Sequence, residues 1–375
     1  MSETAIRKKN VKRRVYAVLA LAVVLLGAMF ATGYFRNPGV NPDVIDKLKP
    51  FTHNDRILVF APHCDDEALG AGGLIQQALA AGAAVRVVIV TNGDNSFFST
   101  RIESRKIRPR PKNYIEAGHT RMQESVKALE FLGLDRRGMD FLCYPDKGIK
   151  ALFLTNWPDH NPYRSNGTKE EKPPYQGCYN QDALYSGNSL SGDITEIIAD
   201  FKPSIIVTPH PDDQHPDHVY TYEFVKLSVR ELYGGARPGR AGKAPLALAY
   251  LVHHKYFPQP KGFKPEEPLL PPIHTNLFNA NWVRVPLTIE QRDAKYDALR
   301  LYKTAACCLP RIPRRIITGF SQTYETCAVQ LRPTPCPRTP QKLAESCIGR
   351  VILSGGPILT RQFTQSDSPC CHCAF

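Results

Sequence analysis

A chain of 375 residues is long enough for one large domain or two modest ones, with a sizeable buried core. Its formal charge of +13 sits mainly at the two ends, because residues 1–14 and 307–375 each contribute +5 and leave +3 for the body. With no basic stripe interleaved with aromatics in that body, a nucleic-acid partner is not supported.

The basic residues Arg7, Lys8, Lys9, Lys12, Arg13 and Arg14 precede Val15–Phe35, a run without a charged residue. At roughly 1.5 Å per residue, such a helix spans the ~30 Å hydrocarbon core of a bilayer. Beyond it Arg36 stands alone before Lys47. The positive-inside rule then puts the N-terminus in the cytoplasm and the rest, from about residue 37, outside it. A cleaved signal peptide is the alternative, but Gly27-Ala28-Met29 and Met29-Phe30-Ala31 both fail as small-Xaa-small cleavage sites, and a single-pass signal anchor is favoured. The expected layout is a cytoplasmic tail over 1–14, a transmembrane helix over 15–35, a linker over 36–54, a globular domain over 55–306 and an atypical tail over 307–375.

The domain opens on the apolar run Ile57-Leu58-Val59-Phe60, which predicts a buried strand, followed by a helix over about 66–81. Ala84–Val90 is a second strand, ending in Thr91-Asn92-Gly93-Asp94. A right-handed crossover makes the two strands parallel neighbours, so Asp94 opens onto the same edge as His63. Residues 99–112 read as a basic, Pro-broken loop, and a helix over about 119–132 closes at Gly133. Met139–Tyr144 is a third strand. Residues 155–192 read as a long insertion facing substrate. A helix capped by Ser191 or Asp193 runs to Phe201, and a fourth strand over Pro203–Thr208 leads into His210-Pro211-Asp212-Asp213-Gln214-His215-Pro216-Asp217-His218. A helix to Tyr233, strands over Leu246–Val252 and Trp282–Val285, and a last helix capped by Thr288 complete the pattern. That last helix is expected to turn Lys295 outward and Ile289, Tyr296, Leu299 and Tyr302 inward. The fold class is α/β, a Rossmann-like, mostly parallel sheet with helices on both faces. Residues 307–375 hold eight of the eleven cysteines and eight prolines without a sustained period. They read either as a disordered or disulfide-tied tail or as residues outside the gene's native frame. Cys370-Cys371-His372-Cys373 does not space its ligands as a structural metal site does.

The chemistry gathers at two strand ends. Asp65 and Asp66 repel each other unless a cation lies between them or one is neutral, and with His63 beside them a divalent metal is the economical explanation. His63, Asp66 and His218 make two His and one Asp with a position left for water, the open arrangement of a catalytic Zn2+. Such an ion lowers the pKa of bound water toward ~7 and polarises a carbonyl. Asp65 is then free to act as general base, and His215 as general acid or oxyanion partner, oriented by Asp217.

These residues also carry a family resemblance. His63-Cys64-Asp65-Asp66-Glu67 resembles the His-Pro-Asp-Asp-Glu motif of the LmbE/PIG-L zinc-dependent N-acetylglucosaminyl deacetylases, and His215-Pro216-Asp217-His218 resembles their His-Pro-Asp-His signature. Arg121-Met122-Gln123-Glu124 and Tyr144-Pro145-Asp146 look like the family's Arg-Xaa-Xaa-Glu helix and its Pro-Asp after a strand, in order from about Arg56 to Tyr302. The resemblance implies His63, Asp66 and His218 as zinc ligands, Asp65 as base, His215 as transition-state partner with Asp217 behind it, and release of acetate from an N-acetylglucosamine unit. Arg121, Asp94 and Asp146 are candidates for holding substrate. Cys64 departs from the family's Pro at a position that is not a ligand, and the tail shows none of the family's usual C-terminal pattern. The alternatives are a zinc amidase of the same superfamily acting on a larger acyl or thiol conjugate, a phosphoesterase, and a non-catalytic carbohydrate-binding protein. An N-acetylated sugar or glycoconjugate and, through the N-terminal helix, the membrane are the expected partners.

Overall fold

A computed structural model of the chain describes residues 14–27, 43, 45–234, 243–255, 257, 268–272, 281–306 and 325–330. Two compact units are present, Met1–Val44 and Ile45–Phe375. In the first, residues 14–27 form a helix, α1. Among the described residues no helix is long and apolar enough to cross a membrane. The transmembrane helix expected over 15–35 is therefore not supported: the described residues include it only as far as residue 27, fewer than the ~20 residues a span needs, and residues 28–35 lie outside them.

The second unit is built on an eight-stranded sheet of β1 (Asp46–Lys47), β2 (Arg56–Ala61), β3 (Ala84–Thr91), β4 (Met139–Tyr144), β5 (Ile205–Pro209), β6 (Leu246–Tyr250), β7 (Trp282–Pro286) and β8 (Glu325–Gln330), in the order β1-β7-β8-β6-β5-β2-β3-β4. Pairing is parallel throughout except at β8, which runs antiparallel to β6 and β7. The helices are α2 (Asp66–Ala80), α3 (Phe97–Ser104), α4 (Pro111–Phe131), α5 (Ile149–Leu154), α6 (Gly187–Phe201), α7 (Pro216–Tyr233), α8 (Ile289–Leu299) and α9 (Lys303–Ala306).

Why β2 is central follows from its composition. Successive side chains of a strand point to opposite faces. Ile57, Val59 and Ala61 join one apolar cluster with Leu74 and Ile75 of α2 and Leu129 of α4, while Leu58 and Phe60 join another with Ile194 and Ile198 of α6 and Phe224 of α7. A strand covered on both faces has to be apolar at every position. With β3 on one side of β2 and β5 on the other, the chain reverses its direction of winding between β2 and β5. Ligands of open α/β sheets bind outside the carboxyl ends of the strands at such a reversal, and both polar clusters leave β2 and β5 there.

Several expectations change. The stretch 99–112 is not all loop: Ser96 caps α3 by accepting from Ser99 N, and α4 begins at Pro111, where a missing N–H costs nothing in the first turn. α6 starts earlier, with Ser186 as its cap. Within the expected linker Asp46–Lys47 pairs with β7, and within the expected tail Glu325–Gln330 pairs with both β7 and β6. The Cys370–Cys373 stretch lies outside the described residues. On α8, Lys295 is 4% exposed and Ile289 is 55% exposed, the reverse of the expectation. The helix lies against α2 with a different face than its apolar residues alone indicate. A cysteine pair unmarked by the sequence, Cys143–Cys178, ties the insertion to β4.

Candidate metal centre

The turn from β2 into α2 is closed by Asp66. Its Oδ2 accepts from the backbone N–H of His63 at 3.0 Å and lies 3.0 Å from His63 Nδ1. The same oxygen is 3.0 Å from His218 Nε2, so one buried carboxylate joins the two strand ends. Asp65, next in sequence, faces elsewhere. Its backbone has φ 130, a conformation that an L side chain adopts only under strain. Its N–H donates to Glu67 at 3.0 Å, and its Oδ2 sits 3.6 Å from Arg121 Nη2, which also donates to the carbonyl of Cys64 at 3.1 Å. Glu67 is itself held by the hydroxyls of Ser125 and Tyr302. Burial lifts the Asp65 carboxyl to about 7 against the pull of Arg121, in the range where a carboxylate exchanges protons near neutrality.

From β5 the chain supplies the other half. Asp213 accepts from the backbone of His215, Val252 and His253 at 2.9, 3.0 and 2.9 Å, and its Oδ2 is 3.2 Å from His218 Nδ1. His215 caps α7: its Nδ1 accepts from the N–H of Asp217 at 3.2 Å, which leaves Nε2 to carry the proton of the neutral ring. Burial, then the neighbouring histidines, hold His215 down to about 3. His63 and His218 move the other way. Burial opposes their cations, but the carboxylates of Asp146, Asp217 and Asp66 raise His63 and those of Asp66 and Asp213 lift His218 to about 9.

The donor set fits a divalent ion. Two imidazoles and a carboxylate are the ligand types zinc takes in open sites, and both ring nitrogens of His218 are buried without a properly directed hydrogen bond. The partners within reach of these nitrogens are the carboxylates of Asp66, at 3.0 Å from Nε2, and Asp213, at 3.2 Å from Nδ1, a proposed co-ligand on one side and an orienting group on the other. At ~2.0–2.1 Å per bond, tetrahedral ligand atoms lie ~3.3 Å apart, close to the 3.0 Å from Asp66 Oδ2 to each histidine. Ligand atoms of His63, His215 and His218, of Asp66, His218 and His253, and of His63, Asp146 and Asp217 also come within 4.8 Å of one another.

The expected residues are thus brought together, with two changes of partner. The Asp217 carboxylate does not back His215: its Oδ2 is 3.3 Å from His63 Nε2, and it accepts from Lys147 N at 2.7 Å and Ile149 N at 3.3 Å. The reason is helical direction, since the first turn of α7 turns Asp217 toward the tip of β4. Arg121 and Asp94, expected to face substrate, are buried at 8% and 0% exposure. Arg121 lies behind Asp65, and Asp94 accepts from Tyr175 OH at 2.6 Å and Asp146 N at 3.3 Å. Asp146 does reach the centre, 3.5 Å from His63 Nε2. Sequence reading passes over Asp213, Glu67, Tyr175 and His253 as site residues. Glu67 lies inside the first motif and Asp213 in the polar run just before the second, while nothing local marks Tyr175 or His253.

Residues 58–229, from β2 into α7, match the family described as PIG-L: GlcNAc-PI de-N-acetylase. This stretch is similar to the PIG-L family. The matched stretch of this family holds both strand-end clusters. Similar curated proteins are a 1D-myo-inositol 2-acetamido-2-deoxy-alpha-D-glucopyranoside deacetylase of Mycobacterium sp. (strain KMS), 28% identical over 52% of this chain and 54% of its own, and one of Corynebacterium glutamicum (strain R), 24% identical over 49% and 56%. The chain spans about half the length of the curated relatives it matches. A solved N,N'-diacetylchitobiose deacetylase from Pyrococcus horikoshii aligns at 16% identity and a TM-score of 0.41, over 70% of this chain and 72% of that one.

Proposed function

We propose that the domain hydrolyses the N-acetyl amide of an N-acetylglucosamine-containing glycan or glycoconjugate, releasing acetate, with Zn2+ held by His63, Asp66 and His218. The observation that carries this reading is the divergence of two adjacent carboxylates. Asp66 lies between two histidines at 3.0 Å from each, while Asp65 is turned away by a strained backbone onto Arg121. One carboxylate is built to hold a cation and the other to move a proton. The similarity of residues 58–229 to the PIG-L family and the names of the curated relatives, deacetylases of an acetamido sugar, support the same class of substrate.

When bound, the ion supplies Lewis acidity and a low pKa for water. The chain's own residues do the rest. Asp65 takes the proton of the attacking water and delivers it to the departing amine. His215, neutral and protonated at Nε2, donates to the amide oxygen as charge builds there. Asp217 and Asp146 hold the far nitrogen of His63, fixing the ring as carboxylates do behind metal-bound histidines.

A domain lying outside the reducing cytoplasm belongs to the same proposal, supported by the Cys143–Cys178 disulfide. Acetate release from N-acetylglucosamine conjugates, measured with and without added Zn2+, tests the function. Asp65→Asn is expected to abolish turnover and keep the metal. Turnover that persisted in that variant would remove Asp65 as the base, and stoichiometric zinc without acetate release from any acetamido sugar would sink the reaction itself.

A further inference from the structure

We propose that His253, in the segment after β6, is an additional ligand of the divalent-ion site and closes it from the solvent side. The inference rests on the metal-dependent reading above and goes beyond its three ligands. Asp213 builds the frame: its carboxylate accepts from the backbone of His253 and of His215 and touches His218 Nδ1. A single buried side chain therefore fixes the end of β6, the start of α7 and a proposed ligand relative to one another. Within that frame the ring of His253 stands edge-on to His218 with centroids 4.8 Å apart, and 5.3 Å from His215. Ligand atoms of His253, Asp66 and His218 all come within 4.8 Å of one another.

Burial separates the roles. Asp66 and His218 are buried, whereas His253 is exposed, so it is the member of this group that borders solvent. A neutral imidazole is a good ligand for zinc and cobalt. A three-ligand site leaves one coordination position for water or substrate, and the proposed role of His253 is to fill it. A change of its side-chain rotamer would free that position with no change in the sheet, because the bond from the His253 backbone to Asp213 does not involve the ring.

Cobalt(II) serves as the probe, titrated into the full chain after removal of other metals, with visible absorption as the readout and a competing chelator to give the affinity. Because the Asp213 bond uses only the backbone of residue 253, His253→Ala is expected to unfold at the wild-type temperature, to bind cobalt at least tenfold more weakly and to show an altered d–d band. His253→Cys is expected to restore the affinity and to add the near-ultraviolet charge-transfer band of a thiolate–cobalt bond. An unchanged affinity and d–d band in His253→Ala, or no charge-transfer band in His253→Cys while cobalt remains bound, overturns the assignment and leaves the three-ligand centre standing. A wild-type chain that takes up no cobalt overturns the metal reading together with this inference.

Discussion

Asp217 gives its backbone to one histidine and its carboxylate to another: its N–H donates to His215 Nδ1 at 3.2 Å, while its Oδ2 lies 3.3 Å from His63 Nε2. The two functions belong to opposite sides of the cleft. The helix cap sets the His215 tautomer, and the carboxylate orients a proposed metal ligand that arrives from β2.

This arrangement predicts that Asp217→Asn weakens zinc binding by about 10–100-fold, as loss of a carboxylate behind a ligand histidine does, while the cap on His215 persists. Zinc competition against a chelator measures the first effect. If affinity holds and only the pH profile of turnover moves, Asp217 serves His215 after all.

Gly93, at the end of β3, has φ +64, and a Cβ there would lie 2.5 Å from the Arg121 guanidinium carbon. Gly93→Ala therefore meets a left-handed backbone and a buried cation at once, at a cost of about 1–3 kcal/mol. The displaced guanidinium leaves Asp65, so turnover is expected to fall more steeply than stability. Denaturant unfolding alongside acetate release gives both numbers, and a loss confined to stability would show that Arg121 does not govern Asp65.

Lys295 is buried on α8 with its stem passing over Gly72 of α2, and burial lowers its pKa to about 8. The unfolded chain, with the ordinary lysine value of 10.5, binds the proton more tightly. Folding is therefore penalised most below pH 8, and stability rises with pH between about 8 and 10.5. The shift corresponds to about 3 kcal/mol at neutral pH. Lys295→Met is expected to recover much of that at pH 7, with the advantage shrinking as the pH climbs through this window. Unfolding curves for both proteins from pH 6 to 10.5 check it; a constant difference would show that the ammonium is not what costs stability.

The disulfide closes a 35-residue span between β4 and the insertion. Loop-closure arguments give about 2–4 kcal/mol for a bridge of this size. Cys178→Ser is expected to lower the melting temperature and, because Tyr175 lies in the tethered turn and donates to Asp94, to loosen the Asp94–Asp146 contact beside His63. Scanning calorimetry with and without reductant reads the stability, and equal transitions would mean that the turn holds itself.

Much of this protein is legible in its sequence, because strong local signals coincide with tertiary need. The run Ile57–Ala61 is apolar on both faces since both faces are covered, and the polar turns after β2 and β5 fall where the sheet reverses. That His63, Asp66 and His218 meet where β2 and β5 end follows from residue type and spacing, since both polar clusters leave apolar strands. Helix α8 marks the limit. Periodicity turns Ile289 inward and Lys295 outward, but the contact with α2 is set by where β7 delivers the chain, and that buries the lysine and exposes the isoleucine. The same holds for side-chain partners. Which histidine Asp217 supports, where Arg121 and Asp94 face, and how His253 reaches the centre from β6 all depend on distances between segments remote in sequence. A one-dimensional pattern records what a residue can do chemically. The approach of the first turn of α7 to the loop after β4, and of the segment after β6 to Asp213, decides which neighbour it does it to.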